Sequence, residues 1–146
     1  MPHTIDPTTL AAKLEVAFEG CKLRAYWDPN GRVWTIGLGH TAGVKEGDTC
    51  TVEQAAAWLA EDNARLIALV SDRPLIEAAA LISFGYNCGV GALRRVLSGS
   101  ITVDHEEFMA GEDPYGEVSG GVRLAGLVSR RQLEAALIEA SRSMAK

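Results

Sequence analysis

Two carboxylic acids that lie close together in the sequence, Glu19 and Asp28, are of the type that acid–base chemistry needs. Glu19 falls at the end of a predicted helix, where free carbonyl groups and any burial disfavour its charged form, so it can hold a proton and donate it. Asp28 precedes a turn, in a more polar setting, and we expect it to stay ionised. One protonated and one ionised carboxyl are what glycoside hydrolysis requires. Each acid also has an ordinary structural interpretation, as a solvated helix end or a turn former.

The helix that carries Glu19 has recognisable ends. Asp6 is a suitable N-cap, and Pro7 fits the first helical position. Gly20 follows Glu19 and is a natural terminator. The sequence therefore predicts a helix from Asp6 to Glu19.

A hairpin is predicted directly after this helix. Residues 24–28 and 33–37 alternate as short strands do, and Pro29, Asn30 and Gly31 between them are typical of a turn. Asp28 would then lie at a strand end. Thr35, on the returning strand, has a hydroxyl that can hold a water molecule.

The stretch from Glu19 to Thr41 resembles the signature of the phage-type lysozymes, the endolysins of glycoside hydrolase family 24. The matching residues are Glu19-Gly20, Ala25-Tyr26, Asp28, Gly31 and Thr35-Ile36-Gly37-Leu38-Gly39-His40-Thr41. The resemblance implies that Glu19 is the general acid and that Asp28 and Thr35 position the attacking water. One residue more than the family spacing separates Glu19 from Thr35, and it falls in the turn near Arg32, where an insertion costs little.

A long helix is predicted after the hairpin. Thr51 and Gln54 fit a capping box, and apolar residues keep helical spacing to about Ser71. In the family, this helix joins two lobes across the back of the cleft. We expect Asp62 on its polar side to reach His40, since a histidine flanked by glycine needs a partner and the resemblance brings the two together. The alternative is a solvated Asp62.

The next predicted helix runs from Ile76 to Asn87, after a break at Arg73 and Pro74. It is apolar nearly all round, so we expect it at the centre of its lobe. The resemblance places its end at the cleft. Tyr86 and Asn87 are therefore candidates for sugar contacts, one by ring stacking and the other by pairing with an N-acetyl group. A core position is the other interpretation of Tyr86.

The segment from Ser98 to Gly121 is rich in glycine and acids, and it is predicted as a short helix around residues 106–109 followed by a loop. It is shorter than the family pattern. A solvated acidic surface is its default interpretation, although residues 115–121 could flank the cleft.

A terminal helix is predicted to start near Ser129 and Gln132. Its apolar stripe would be formed by Leu133, Leu137, Ala140 and Met144. Residues 126–134 resemble the closing motif of the family, which implies that Arg130 pairs with Glu19 and orients it. The alternative is a surface Arg130 without a fixed contact.

Neither a disulfide framework nor a metal site is expected. The cysteines are odd in number and irregularly spaced, which favours reduced and largely buried thiols: Cys21, Cys50 and Cys88. The histidines are scattered. The resemblance implies that the reaction needs no metal and no organic cofactor.

Composition limits the possible partners and compartments. The chain has 146 residues and a net charge of −5, which argues against a nucleic-acid partner. No apolar run is long enough to span a membrane, and the N-terminus lacks the features of a signal peptide. We therefore expect a monomer, without stable membrane insertion, in the host cytoplasm. The resemblance implies that a separate holin-type pore releases it to the cell wall.

The resemblance implies an α+β, mainly α, two-lobed lysozyme-like fold over residues 1–146 as one domain. The hairpin lobe would cover about residues 20–50, the linking helix about 51–72, and the helical lobe about 73–146 plus the N-terminal helix. The implied activity is that of a muramidase, which hydrolyses the β-1,4 bond from N-acetylmuramic acid to N-acetylglucosamine in peptidoglycan. A water between the carboxyls predicts inversion.

Two alternatives to this function remain. A lytic transglycosylase acts on the same substrate and needs the acid Glu19 but neither Asp28 nor Thr35. A catalytically silent peptidoglycan-binding protein would need none of the three. The presence of all three residues favours the hydrolase.

Overall fold

The computed structural model describes residues 6–29, 31–111, 122–123 and 125–145, and of residues 18, 19, 110, 111, 122, 123, 125 and 126 it describes the backbone alone. Its helices are α1 (Pro7–Glu19), α2 (Val52–Leu69), α3 (Leu75–Cys88), α4 (Val90–Leu97) and α5 (Ala125–Met144). Its strands are β1 (Lys22–Asp28), β2 (Val33–Gly37), β3 (Ala110–Gly111) and β4 (Val122–Arg123). The predicted α+β, mainly α fold class is confirmed.

The first helix has the ends that the sequence predicts. Asp6 precedes α1, and its Oδ1 accepts a hydrogen bond from the Thr9 backbone N–H at 2.8 Å. The helix ends at Glu19 because Gly20 takes a φ of 65°, a left-handed conformation that glycine adopts without steric cost.

The predicted hairpin is present as an antiparallel β1–β2 pair. Its turn residue Arg32 has a φ of 52°, which is uncommon for a side-chain-bearing residue. Asn30, which belongs to the predicted turn, lies outside the described residues.

The linking helix starts as predicted, with a complete capping box. The Thr51 side chain accepts from the Gln54 backbone N–H at 3.1 Å, and Gln54 Oε1 accepts from the Thr51 backbone N–H at 2.9 Å. The buried face of α2 includes Ala55, Leu59 and Leu66. This face lies against β2 and α3, so α2 connects the hairpin to the helical core.

The core of the helical part is built around α3, as its apolar sequence predicts. Every residue from Glu77 to Gly85 is buried, and α3 packs against α1, α2, α4 and α5. The Phe84 ring meets the Phe108 ring edge to face, with centroids 4.9 Å apart. Phe108 belongs to a short 3-10 helix, Glu106–Phe108, where the sequence predicts a short helix.

One helix and one pair of strands in this region have no counterpart in the sequence prediction. The helix α4 follows Gly89, which has a φ of 93°, and it buries Leu93 against the core. The strands β3 and β4 pair with each other on either side of residues 112–121. Those ten residues, including the whole of the predicted loop at 115–121, lie outside the described part of the chain.

The prediction for the terminal helix is wrong in two respects. It begins at Ala125, so Ser129 and Gln132 lie inside it rather than at its start. Of the predicted apolar stripe, only Leu137 packs partly buried against the core, whereas Leu133 is 40% exposed, Met144 is 74% exposed and Ala140 is also exposed. The buried face is largely polar and consists of Arg130, Arg131, Glu134, Ile138 and Ser141.

Candidate active site

Asp28 and Thr35 lie on one face of the β1–β2 hairpin. The register pairs Asp28 with Val33 and Tyr26 with Thr35. Paired residues share a face, and side chains two residues apart on a strand point the same way. Asp28 and Thr35 are therefore diagonal neighbours, at roughly 7–8 Å between antiparallel strands. At that separation, both polar groups can reach one bound water.

The surroundings of the two side chains hold them in place. Thr35 is 3% exposed, and its Oγ1 lies 3.4 Å from the Val33 carbonyl oxygen, to which it donates. A hydroxyl that donates one hydrogen bond can still accept another. Asp28 is half-buried, and a Cβ atom placed on Gly31 would lie 3.0 Å from Asp28 Oδ2. Gly31 therefore leaves the space that the carboxylate fills.

Glu19 is the last residue of α1. The backbone of α1 ends at this residue, and β1 begins at Lys22, so Glu19 precedes the hairpin closely. Its side chain lies outside the described part of the structure. Its role as general acid and its pairing with Arg130 stay predictions.

Glycine brings the loop after β2 close to α2. Ile36 and His40 exchange two backbone hydrogen bonds, each 2.9 Å long, so the chain turns back on itself. Gly37 has a φ of 66°, and a Cβ atom there would lie 3.0 Å from the Cβ of Ala55. Both the conformation and the close approach favour glycine at this position.

The predicted contact between His40 and Asp62 is present. His40 Nδ1 lies 2.9 Å from Asp62 Oδ2. The His40 ring also stacks on Trp58, with centroids 4.6 Å apart and planes 9° from parallel. The alternative of a solvated Asp62 is therefore wrong, and the loop is attached to α2 through both side chains.

A cavity of about 290 Å³ lies between this loop and helices α2, α3 and α4. Tyr86 lines it, and the Tyr86 hydroxyl donates to the Leu38 carbonyl oxygen at 2.8 Å. Tyr86 thus holds the loop and still borders the cavity. Asn87 is exposed, does not line this cavity, and accepts at Oδ1 from Arg131 Nη1 at 2.9 Å.

A buried cluster of charges connects α5 to α3. Arg130 is 2% exposed and its Nη2 donates to the Ser83 carbonyl oxygen at 3.0 Å, so the alternative of a surface Arg130 without a fixed contact is wrong. Arg130 Nε and Arg131 Nη2 lie 3.2 and 2.8 Å from Glu134 Oε1. Burial raises the pKa of Glu134, although Arg131 and Arg130 both act to lower it.

Arg131 and Glu134 belong to the closing motif of residues 126–134, but the sequence alone assigns no contact to them or to Ser83. Two signals could have found them. Glu134 stands four residues after Arg130 and three after Arg131, the spacings of neighbours on one helix face. Ser83 is a polar residue in the middle of an apolar helix, and it donates through its hydroxyl to Glu134 Oε1 at 2.8 Å.

A second buried polar contact joins α1 to α2. Glu15 and Asn63 are both fully buried, and Asn63 Nδ2 lies 3.4 Å from each carboxylate oxygen of Glu15. Glu15 stands four residues before Glu19, one helical turn away. The contact therefore fixes the part of α1 that leads to the predicted acid.

The expectation of largely buried thiols is wrong for Cys21, which is exposed. Cys50 and Cys88 are half-buried, and burial raises the pKa of each thiol. Within the described ranges, no group of three or more histidine, cysteine or acidic side chains is arranged to hold a metal ion. None of the helices, so far as the chain is described, is long and apolar enough to cross a membrane.

Comparison with known sequences gives matches over most of the chain. A family model described as Phage lysozyme matches residues 16–134. The endolysin of Acyrthosiphon pisum secondary endosymbiont phage 1 is 37% identical over 136 residues, which cover 85% of this chain and 91% of that protein. The endolysin of Bacillus phage PZA is 34% identical over 129 residues, which cover 83% of this chain and 50% of that protein.

Solved structures with the same fold also match most of the chain. The muramidase domain of SpmX from Asticaccaulis excentricus has a TM-score of 0.67 and 30% identity, and the match covers 88% of this chain and 93% of that chain. The endolysin from Escherichia coli O157:H7 phage FAHEc1 has a TM-score of 0.68 and 27% identity, with 94% and 96% covered. The active form of P1 phage endolysin Lyz has a TM-score of 0.65 and 26% identity, with 90% and 83% covered.

Proposed function

The chain belongs to the phage lysozyme family, and we propose that Glu19, Asp28 and Thr35 carry its reaction, the hydrolysis of the β-1,4 bond from N-acetylmuramic acid to N-acetylglucosamine in peptidoglycan. It is a glycoside hydrolase of the lysozyme type. The observation that carries the assignment of residues is the hairpin register, since it puts Asp28 and Thr35 on one face directly after the helix that ends at Glu19.

The three residues divide the reaction between them. Glu19 donates its proton to the glycosidic oxygen as the bond to the anomeric carbon breaks. A water held by Asp28 and Thr35 attacks that carbon from the other face, and Asp28 accepts the proton that the water loses. Because the water occupies the space between the carboxyls, the product has the inverted configuration.

Other residues support this arrangement. His40 and Asp62 hold the glycine-rich loop against α2, and Arg130 orients Glu19 from α5. The Tyr86 ring borders the cavity, where it contacts a sugar. Asn87 uses its amide oxygen for Arg131, so its amide N–H groups are what it offers to an N-acetyl group.

The protein works as one lysozyme domain and as a monomer that acts on the bacterial cell wall. It stays in the host cytoplasm until a separate holin-type pore lets it through. The endolysins among its relatives support the proposal that it acts on the cell wall after its release.

Mass analysis of fragments released from purified peptidoglycan tests the assignment. The unmodified enzyme is expected to give reducing muramic acid ends. Glu19→Gln lowers the rate by about 10²–10⁴-fold, the usual contribution of a general acid. Asp28→Asn lowers it as well, since the water loses its base. Glu46→Gln, an exposed acid in the loop before α2, is the matched control and keeps the full rate.

Other products would contradict the proposal. Anhydro-muramic acid ends, with Asp28→Asn fully active, would identify a lytic transglycosylase. Binding to peptidoglycan without any release of fragments would identify a silent wall-binding protein.

A further inference from the structure

Arg65 presents a positive charge beside the proposed active site. It stands three residues after Asp62 on α2, so the two side chains share a helix face. Asp62 would be the natural partner of Arg65, but its Oδ2 is engaged by His40 at 2.9 Å. Arg65 is exposed and takes part in no hydrogen bond or ion pair with any residue that the structure describes.

Arg65 lines the cavity next to the loop. Its lining comes from the loop, from α2 and from the α3–α4 junction: Gly39, Thr41, Ala42, Asp62, Arg65, Leu66, Gly85, Tyr86, Gly89 and Val90. Among these residues Arg65 is the one basic side chain, and the one acid is already engaged. The volume of about 290 Å³ is close to the lower end of small-ligand sites, roughly 300 Å³, and suits one substituent of a polymer.

We propose that Arg65 binds a carboxylate on the substituent of muramic acid, so that the enzyme prefers glycan strands that carry anionic side groups. This inference rests on peptidoglycan as the proposed substrate. Intact strands offer such groups on the stem peptide, and strands without peptide offer the lactyl carboxylate of muramic acid. The planar guanidinium binds a carboxylate through two parallel hydrogen bonds, which gives geometric selectivity as well as charge.

The size of the effect follows from the exposure of Arg65. An ion pair in contact with solvent contributes at most about 1 kcal/mol, which corresponds to roughly a fivefold change in affinity. Screening by salt should weaken the preference, since the charges are not buried. Arg65→Lys keeps the charge but loses the planar fork, and should retain part of the preference.

Binding in the Glu19→Gln background tests this directly, because no fragment is cleaved during the measurement. Calorimetry would compare peptide-bearing muropeptides, the same muropeptides with their carboxylates converted to amides, peptide-free fragments with the lactyl carboxylate, and chitotetraose, which is neutral. Arg65→Gln is expected to weaken the binding of the anionic ligands by about fivefold and to leave the amidated ligand and chitotetraose unchanged. Arg94→Gln, an exposed arginine on α4 outside the cavity lining, is the matched control and changes none of them.

The ligands separate the possible outcomes. An effect confined to peptide-bearing fragments assigns the carboxylate to the stem peptide, and an effect on peptide-free fragments assigns it to the lactyl group. Equal weakening for all four ligands, or no weakening, would overturn the proposal. The parent enzyme could release no fragments while Arg65→Gln still weakened the binding of the anionic ligands alone. In that case the hydrolase assignment would fail, and the assignment of Arg65 to carboxylate binding would stand.

Discussion

His40 makes three contacts, one through its backbone and two through its side chain. Its backbone closes the loop with Ile36, its ring stacks on Trp58, and its Nδ1 contacts Asp62. The pair is partly buried, with 11% of the His40 side chain and 32% of the Asp62 side chain exposed. A contact of this kind contributes more than a surface pair because water screens it less.

Asp62→Asn is therefore expected to destabilise the protein. The substitution keeps the shape of the side chain but removes the charge that faces His40, at a cost of about 1–3 kcal/mol in the free energy of unfolding. Urea unfolding followed by tryptophan fluorescence would measure it. The control is Glu61→Gln, at the exposed neighbour on α2, which changes the net charge by the same amount. It should change the free energy of unfolding by no more than about 0.5 kcal/mol. Equal effects of the two substitutions would show that His40 does not depend on Asp62.

At the scale of elements, α1 matters most, because its last residue is the predicted acid. Its N-terminus is stabilised by Asp6, and the hydrogen bond from the Thr9 N–H lowers the pKa of Asp6 below its ordinary value of 3.8. A carboxyl with a lowered pKa in the folded state stabilises the fold above its ordinary pKa, and this stabilisation is lost as the pH falls through the lowered value.

The cap can be tested by the pH dependence of stability. Asn caps helices about as well as Asp but does not titrate, so Asp6→Asn should match the parent protein above about pH 5. Below that pH, the parent should lose stability relative to Asp6→Asn. Asp6→Ala should be less stable than Asp6→Asn at every pH. Urea unfolding between neutral and acid pH gives the difference in the free energy of unfolding between the two proteins. The contributions of all other carboxyls cancel in this difference. A parent and an Asp6→Asn variant that stay equal down to pH 3 would contradict the role of the charged cap.

Elements with local signals in the sequence were predicted, and those without such signals were not. Asp6, Gly20, Thr51 and the break at Pro74 act on their own neighbours, so helix ends could be read from residue types. The contact of His40 with Asp62 came from family resemblance, whereas the stacking on Trp58 has no local signal. The helix α4 was missed because its eight residues are too short for a clear period.

At the scale of the whole molecule, the packing of α5 against α3 is a feature that the apolar periodicity of the sequence does not predict. The interface of α5 with α3 is formed largely by charged and polar groups, which pattern rules assign to the surface. Arg130 and Arg131 are nonetheless buried, because Glu134 and polar groups of α3 accept hydrogen bonds from both guanidinium groups. Among the described residues, Arg131 Nε is left without a partner. Only the three-dimensional arrangement of two helices far apart in the sequence shows this compensation.

Arg131 is expected to contribute more to the free energy of unfolding than Leu133 and Met144, the exposed apolar residues of the same helix. Arg131 is fully buried, it contacts Glu134 at 2.8 Å, and its guanidinium carbon lies 5.0 Å from the centre of the Phe84 ring. Removing one member of a buried ion pair costs about 3–5 kcal/mol, since the remaining charge is left in a poorly solvated site.

A matched series of substitutions on one helix therefore tests this: Arg131→Ala, Leu133→Ala and Met144→Ala. The arginine variant should lose about 3–5 kcal/mol in urea unfolding, whereas Met144→Ala should stay within about 0.5 kcal/mol and Leu133→Ala within about 1 kcal/mol. The loss at Arg131 should change little with added salt, because buried charges are poorly screened. The reverse order, with Leu133→Ala more costly than Arg131→Ala, would mean that the apolar stripe and not the charge cluster holds α5 against the core.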